Sequence, residues 1–202
     1  MEFKAGTQPV TFLEGHRGRS HPVIEAYTEL CQLKQLYRQG WLQRGLARER
    51  CESVADHTFA VSLLALFLAD AHPEKLSLEK VVLMALLHDL GEVYAGDLTP
   101  NDGISSDEKG RRERDAVTRV LAKLPRGGDY IALWEEYEAG HSPEARFVRH
   151  VDRLEMGLQA GLYEDQESLD LQEIRSSARE SLEDSPLVAL YREFEDLCDR
   201  RR

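Results

Sequence analysis

An adjacent histidine and aspartate, His88 and Asp89, interrupt an otherwise apolar run, VVLMALLHDLGE over residues 81 to 92. A segment this hydrophobic belongs in the interior, where an unpartnered polar group costs roughly 2 to 7 kcal/mol. Folded domains are stable by only about 5 to 15 kcal/mol, so both side chains need partners. A divalent cation would satisfy an imidazole and a carboxylate together. The alternative is a buried histidine bonded to a backbone carbonyl beside an aspartate that accepts nearby amides, and for an isolated pair that plainer arrangement is the default.

Two further residues extend the pair. His57 follows Asp56 at the opening of a long apolar segment, where a side chain can point from a helix end into a cavity. Asp152, in FVRHVDRLEMGL, has Val148 four residues before it and Met156 four after, which places an acid on an apolar helix flank. A surface pairing with Arg149 or Arg153 is the competing reading. Two histidines and two aspartates drawn from three helices suit Mn, Co, Mg or Zn and leave coordination positions for water. Hydrolysis is the natural use of such a centre. Of the other histidines, His16, His21, His72 and His141 read as surface residues, and His150 has no evident role.

The elements that must position these groups are helical. From Pro22 to Tyr37 apolar residues recur close to a 3.6 period, with Gly40 as the stop and an arginine-rich loop from Trp41 to Cys51. Ser53 or Asp56 caps a helix whose body, FAVSLLALFLAD, is apolar on nearly every face and belongs at the centre of the fold. His72 and Pro73 end it. Ser77 caps the next helix, with Glu79 in its first turn, and the run continues to about Glu92. After the loop AGDLTPNDGISSD, helices are expected over residues 106 to 124, over YIALWEEYE, from Pro143 to about Tyr163, and from Pro186 to Arg201. No stretch alternates with a two-residue period, so the fold class is all-α. Residues 1 to 20 read as a tail or surface arm, and residues 21 to 202 as one helical domain with a C-terminal helix.

Charge narrows the partners. With 26 basic and 37 acidic residues the chain of 202 carries a formal charge of -11, which opposes a nucleic acid polymer or an anionic membrane. A small phosphorylated ligand stays compatible, because a bound cation inverts the local field. Cys31, Cys51 and Cys198 show no paired spacing, and no secretory signal or membrane-length apolar run is present, so a reducing cytoplasmic setting is expected.

The ordered blocks SVADH, LLHDLGEVYAGDLTP, DEKGRRERDA, LWEEYE and ARFVRHVDRLEMGLQAGLYE resemble the HD-domain phosphohydrolase superfamily, and within it the small 5'-deoxynucleotidases. With the helix before them, they run from about Leu30 to Asp165. The resemblance implies a compact HD-domain helical bundle in which His57, His88, Asp89 and Asp152 hold the catalytic metal. It implies that Glu92 orients or deprotonates the attacking water with Asp97 as partner acid, and these two acids could also hold a second ion. Glu92, four residues after His88 and three after Asp89, would share their side of a continuing helix. Read without the resemblance, Glu92 is a solvated helix-end acid and Asp97 a turn former.

Trp41 and Arg44 fall in the loop that the resemblance assigns to substrate. Some members place an arginine immediately before the tryptophan, where this chain has Gly40, so Arg44 or Arg38, less so Arg48 or Arg50, would have to grip phosphate. Otherwise Trp41 is a core anchor and the arginines are solvated. The implied reaction is hydrolysis of 2'-deoxyribonucleoside 5'-monophosphates to deoxynucleoside and phosphate by a homodimer. The alternatives are action on a cyclic or triphosphate nucleotide, or a non-catalytic module with a structural ion.

Overall fold

The structure is a computed structural model that describes residues 18–72 and 75–200. The expected arm over residues 1 to 20, apart from its last three, and Pro73 as a helix stop lie outside the described residues. In chain order the elements are α1 (Pro22–Leu30) with a 3-10 extension (Cys31–Lys34), α2 (Gln39–Leu42), α3 (Val54–Ala69), α4 (Leu78–Leu87), α5 (Glu92–Ala95), a 3-10 turn (Pro100–Asp102), α6 (Ser106–Leu121), α7 (Gly127–Ala139), α8 (Pro143–Glu167), α9 (Gln172–Leu182) and α10 (Val188–Asp199). Among the described residues there is no strand, only an isolated antiparallel bridge between Tyr37 and Ser53. The fold is an all-α bundle.

Three helices make the platform for the site. Helix α3 starts with a capping box, in which Ser53 Oγ accepts from the Asp56 amide at 3.2 Å and Asp56 accepts from the Ser53 amide at 2.8 Å. Ser77 caps α4 and Pro143 opens α8, as the sequence predicts, and Ser142 is the cap of α8. These helices pack on one another through Val61, Ala65, Val81, Met84, Ala85, Val148, Val151 and Leu154, all fully buried. Burying a large aliphatic side chain of this kind contributes about 1.5 to 3 kcal/mol, so the three helices that carry the site share one stabilising core.

Several boundaries differ from the sequence-based expectation. The first helix ends at Leu30 and tightens into 3-10 geometry to Lys34, because residues 36 to 38 are recruited elsewhere. The Arg38 amide donates to the Glu52 carbonyl at 3.2 Å and the Val54 amide to the Leu36 carbonyl at 3.0 Å. Gly40 is not a stop but lies inside α2, and Trp41, expected in a loop, is a buried residue of that helix. Helix α8 runs on to Glu167. The polar stretch QEIRSSARESL, not expected to be helical, forms α9, which buries Ile174, Ala178 and Leu182 at four-residue spacing.

The most consequential correction concerns α4, which ends at Leu87 instead of continuing to Glu92. From there the chain tightens: the amides of Leu90, Glu92 and Val93 donate three residues back, to Leu87, Asp89 and Leu90. The His88 carbonyl, left without an α-helical donor, accepts from the Trp134 indole at 3.2 Å. Gly91 sits in this turn because of space rather than conformation, since its φ is an ordinary -59°. A Cβ there would lie 2.6 Å from the Glu113 Cβ on α6.

Candidate metal centre

His57 projects from α3, His88 caps the end of α4, Asp89 occupies the tight turn after it, and Asp152 lies on α8. Both imidazoles have Nδ1 engaged: His57 with Glu155 Oε2 at 2.7 Å and His88 with the Ala85 carbonyl at 2.8 Å. These Nδ1 contacts fix both rings so that the two Nε2 atoms face one another. The two Nε2 atoms are 3.4 Å apart. Asp89 Oδ2 lies 3.2 Å from His88 Nε2 and 3.6 Å from His57 Nε2, and Asp152 Oδ1 lies 3.2 Å from His57 Nε2.

The separations among His57, His88 and Asp89 fit a divalent ion, and Asp152 adjoins this group through His57. Donors about 2.0 to 2.2 Å from one centre, at angles near 90° to 110°, stand about 2.8 to 3.6 Å from each other. Asp89 Oδ2 is also buried without any hydrogen-bond partner, an arrangement that is costly unless a cation takes it up. The donor set demands positive charge in another way. Burial and Arg38 pull the His57 imidazole down, yet its bonds to Asp152 and Glu155 outweigh them and raise it to about 10. Burial pushes Asp152 up, but His57 and His88 hold it down at about 2. Against burial, His88, Arg38 and His57 keep Asp89 far below the usual carboxylate range.

The other predicted acids adjoin this cluster. Glu92 is buried, with Oε2 lacking a hydrogen-bond partner. Burial, then Asp89 and Asp97, push its carboxyl well above the ordinary value, with Arg38 and Lys109 opposing. Asp97 is held by the Gln39 amide and by Arg38 Nη1 at 3.2 Å, and the same Nη1 is 3.6 Å from Asp89 Oδ2. Of the arginines weighed from the sequence, Arg38 is thus the one at the site. Arg44 binds the Gly40 carbonyl and Glu173, and Arg50 binds Glu167 and Gln166, while Arg48 is exposed. Trp41 packs edge-on against Tyr163, and its indole donates to Glu52 Oε1 at 2.7 Å.

Two acids were missed from the sequence. Glu155 orients His57, and its position three residues after Asp152 on one helix face was the available signal. Glu52, whose carboxyl is pushed up to about 6 by burial and Glu155 against His57 and Arg38, has no comparable signature.

Glu113 lies behind the site and shows how closely α6 is packed. Burial pushes its carboxyl up to about 7, with Lys109 opposing and Glu138 and Asp89 adding. An acid raised on folding stabilises the fold below its unfolded value near 4.5, and that stability is lost as pH rises through about 7. Glu113→Gln, neutral at every pH, is expected to raise the thermal midpoint clearly at pH 8 and little at pH 5, a difference of about 2 kcal/mol. Equal shifts at the two pH values would show that this carboxyl does not titrate in that window.

The HD domain family model matches residues 30–191. The chain belongs to the HD domain family. This HD domain is 36% identical over 195 residues to 5'-deoxynucleotidase HDDC2 of Homo sapiens, covering 95% of this chain and 92% of that protein. Among solved structures it is similar to a conserved hypothetical protein of Pyrococcus furiosus, at a TM-score of 0.73 and 31% identity, covering 88% of this chain and 99% of the other. A protein described as a predicted metal-dependent phosphohydrolase of Magnetospirillum magnetotacticum is similar at a TM-score of 0.66 and 28% identity, covering 89% and 92%. In this HD domain the family's histidine–aspartate pair is His88–Asp89, at the break between α4 and α5.

Proposed function

We propose that the chain is a metal-dependent phosphomonoesterase that hydrolyses 2'-deoxyribonucleoside 5'-monophosphates to deoxynucleoside and phosphate. The observation that carries this reading is the convergence of His57 Nε2, His88 Nε2 and Asp89 Oδ2, with Asp152 against His57, beside a buried Glu92 whose Oε2 has no hydrogen-bond partner and the guanidinium of Arg38. The 5'-deoxynucleotidase name of the human relative supports the substrate class.

His57, His88, Asp89 and Asp152 hold a divalent cation, for which Mn, Co, Mg and Zn all suit the donor set. When bound, it supplies Lewis acidity toward a phosphoryl oxygen and toward water. Arg38, held by Asp97 and Asp89 through Nη1, has further N–H groups for phosphate oxygens. Glu92, favoured in its protonated form, gives its proton to the departing 5'-oxygen and, as the carboxylate then formed, takes up the proton that the attacking water loses, so it ends as it began, while Asp97 sets the position of Arg38. Trp41 serves the substrate side as the anchor of its loop, and Arg44 fixes that loop to α9 through Glu173.

The test is phosphate release from deoxy- and ribonucleoside monophosphates, deoxynucleoside triphosphates and cyclic nucleotides, with Mn, Co and Mg in turn. Release from the deoxymonophosphates at rates at least about tenfold above the ribo series is expected. Turnover of cyclic or triphosphate substrates alone would overturn the reading.

We further infer a homodimer, supported by the exposure of the large apolar side chains Phe59, Phe67 and Leu86 on α3 and α4. A monomer in sedimentation equilibrium would refute it. A cytoplasmic site of action is supported by three cysteines outside any disulfide. Among the described residues no helix is long and apolar enough to cross a membrane. Cell fractionation tests this location.

A further inference from the structure

We propose that Lys109 is a positioning residue for the hydrolytic acids: together with its neighbours on α6 it braces segment 91–98, which carries Glu92 and Asp97. Its activity readout rests on the reaction proposed above.

Helix α5 is a single turn of four residues, too short to hold its shape unaided. Helix α6 grips the segment at three places. At its start, Gly91 meets Glu113 so closely that a Cβ would fall 2.9 Å from the Glu113 Cα. In the middle, the Arg119 guanidinium stacks 3.9 Å from the ring centre of Tyr94. At its end, Lys109 Nζ donates to the Leu98 carbonyl at 3.3 Å, one residue past Asp97.

Lys109 also stands 3.6 Å from Glu113, so the first and last contacts are joined one helical turn apart on the same face. The other basic residues of the first half of α6 turn elsewhere: Arg111 and Arg112 pair with Glu108, and Arg114 with Glu135. Lys109 is the α6 cation whose charge reaches Glu92, Asp89 and Asp97. Three acids crowded in a buried corner repel one another, and cations on opposite elements, Arg38 and Lys109, restrain them. The Lys109–Leu98 bond fixes the far end of the segment and so the direction in which Asp97 and Glu92 face the centre.

The test compares Lys109→Met and Lys109→Arg with the wild type in the full, metal-loaded chain. For Lys109→Met, amides 92–98 are expected to exchange hydrogen faster while those of α3 keep their protection and metal content is unchanged. Its kcat on a deoxynucleoside monophosphate is expected to fall at least about tenfold with KM within about twofold, as displacement of a reacting group predicts. Lys109→Arg restores protection and most of kcat. Unchanged exchange at 92–98, or loss of protection spread evenly over the chain, overturns the brace. A raised KM with unchanged kcat overturns it too, by making Lys109 a substrate contact. If the wild type releases no phosphate from deoxymonophosphates, the proposed reaction fails, whereas the exchange comparison still decides the brace.

Discussion

Asp89→Ala is expected to leave the protein folded, without stoichiometric divalent metal, and slower in phosphate release by at least about 10³-fold. Asp89 Oδ2 stands within 3.2 Å of His88 Nε2 and 3.6 Å of His57 Nε2, and it is the buried donor that no hydrogen bond satisfies. Deleting it opens the donor ring at the point where α4 and α3 meet. It also takes from Arg38 one of the two acids it pairs with, so phosphate binding suffers along with the ion. The side chain is 19% exposed, which means that its removal leaves little sealed cavity and the fold survives. Elemental analysis of the purified variant beside a phosphate-release assay checks both halves. A fully metallated, fully active Asp89→Ala protein would refute the centre.

Glu92→Gln is expected to keep its metal and lose turnover by about 10²- to 10⁴-fold, the range that general acid–base groups supply. The substitution keeps the volume of a buried side chain. It also matches the uncharged form that burial, Asp89 and Asp97 already favour, so stability holds or rises. What it removes is the exchangeable carboxyl proton. Measured together, metal content, thermal midpoint and kcat separate the possible roles of this acid. Retained turnover would exclude it from proton transfer, and loss of the ion along with activity would make Glu92 a ligand.

The helical class and the platform were legible because their signals are strong and local. Ser53 and Ser77 cap helices and Pro143 opens one, as expected from the sequence, and FAVSLLALFLAD is apolar enough to demand a central place. The approach of His57, His88 and Asp89 to one another was legible because these polar residues conflict with apolar surroundings, and the resemblance pointed to Asp152 beside them. What the sequence concealed depends on tertiary contacts. The run from Val81 to Glu92 reads as one helix, and only the Trp134 indole and the approach of Glu113 to Gly91 reveal why it breaks at the site. Helix α9 is too polar to stand out, since its buried stripe is three residues and a paired Arg175. Arg38 was one candidate among several arginines, because its selection rests on Asp97, 59 positions away.

The bridge between Tyr37 and Ser53 has a consequence for how such a protein diversifies. With the Arg38–Glu52 and Leu36–Val54 bonds it ties the two ends of residues 39–51 together, as in an Ω-loop. One end of this closed ring adjoins Arg38, the other the cap of the helix that bears His57. Its interior is packed by its own Trp41, Leu46 and Cys51 against Tyr163. A loop sewn shut in this way behaves as a cassette. Its length and tip can change, by evolution or by grafting, while Arg38 and the start of the helix that bears His57 keep their places.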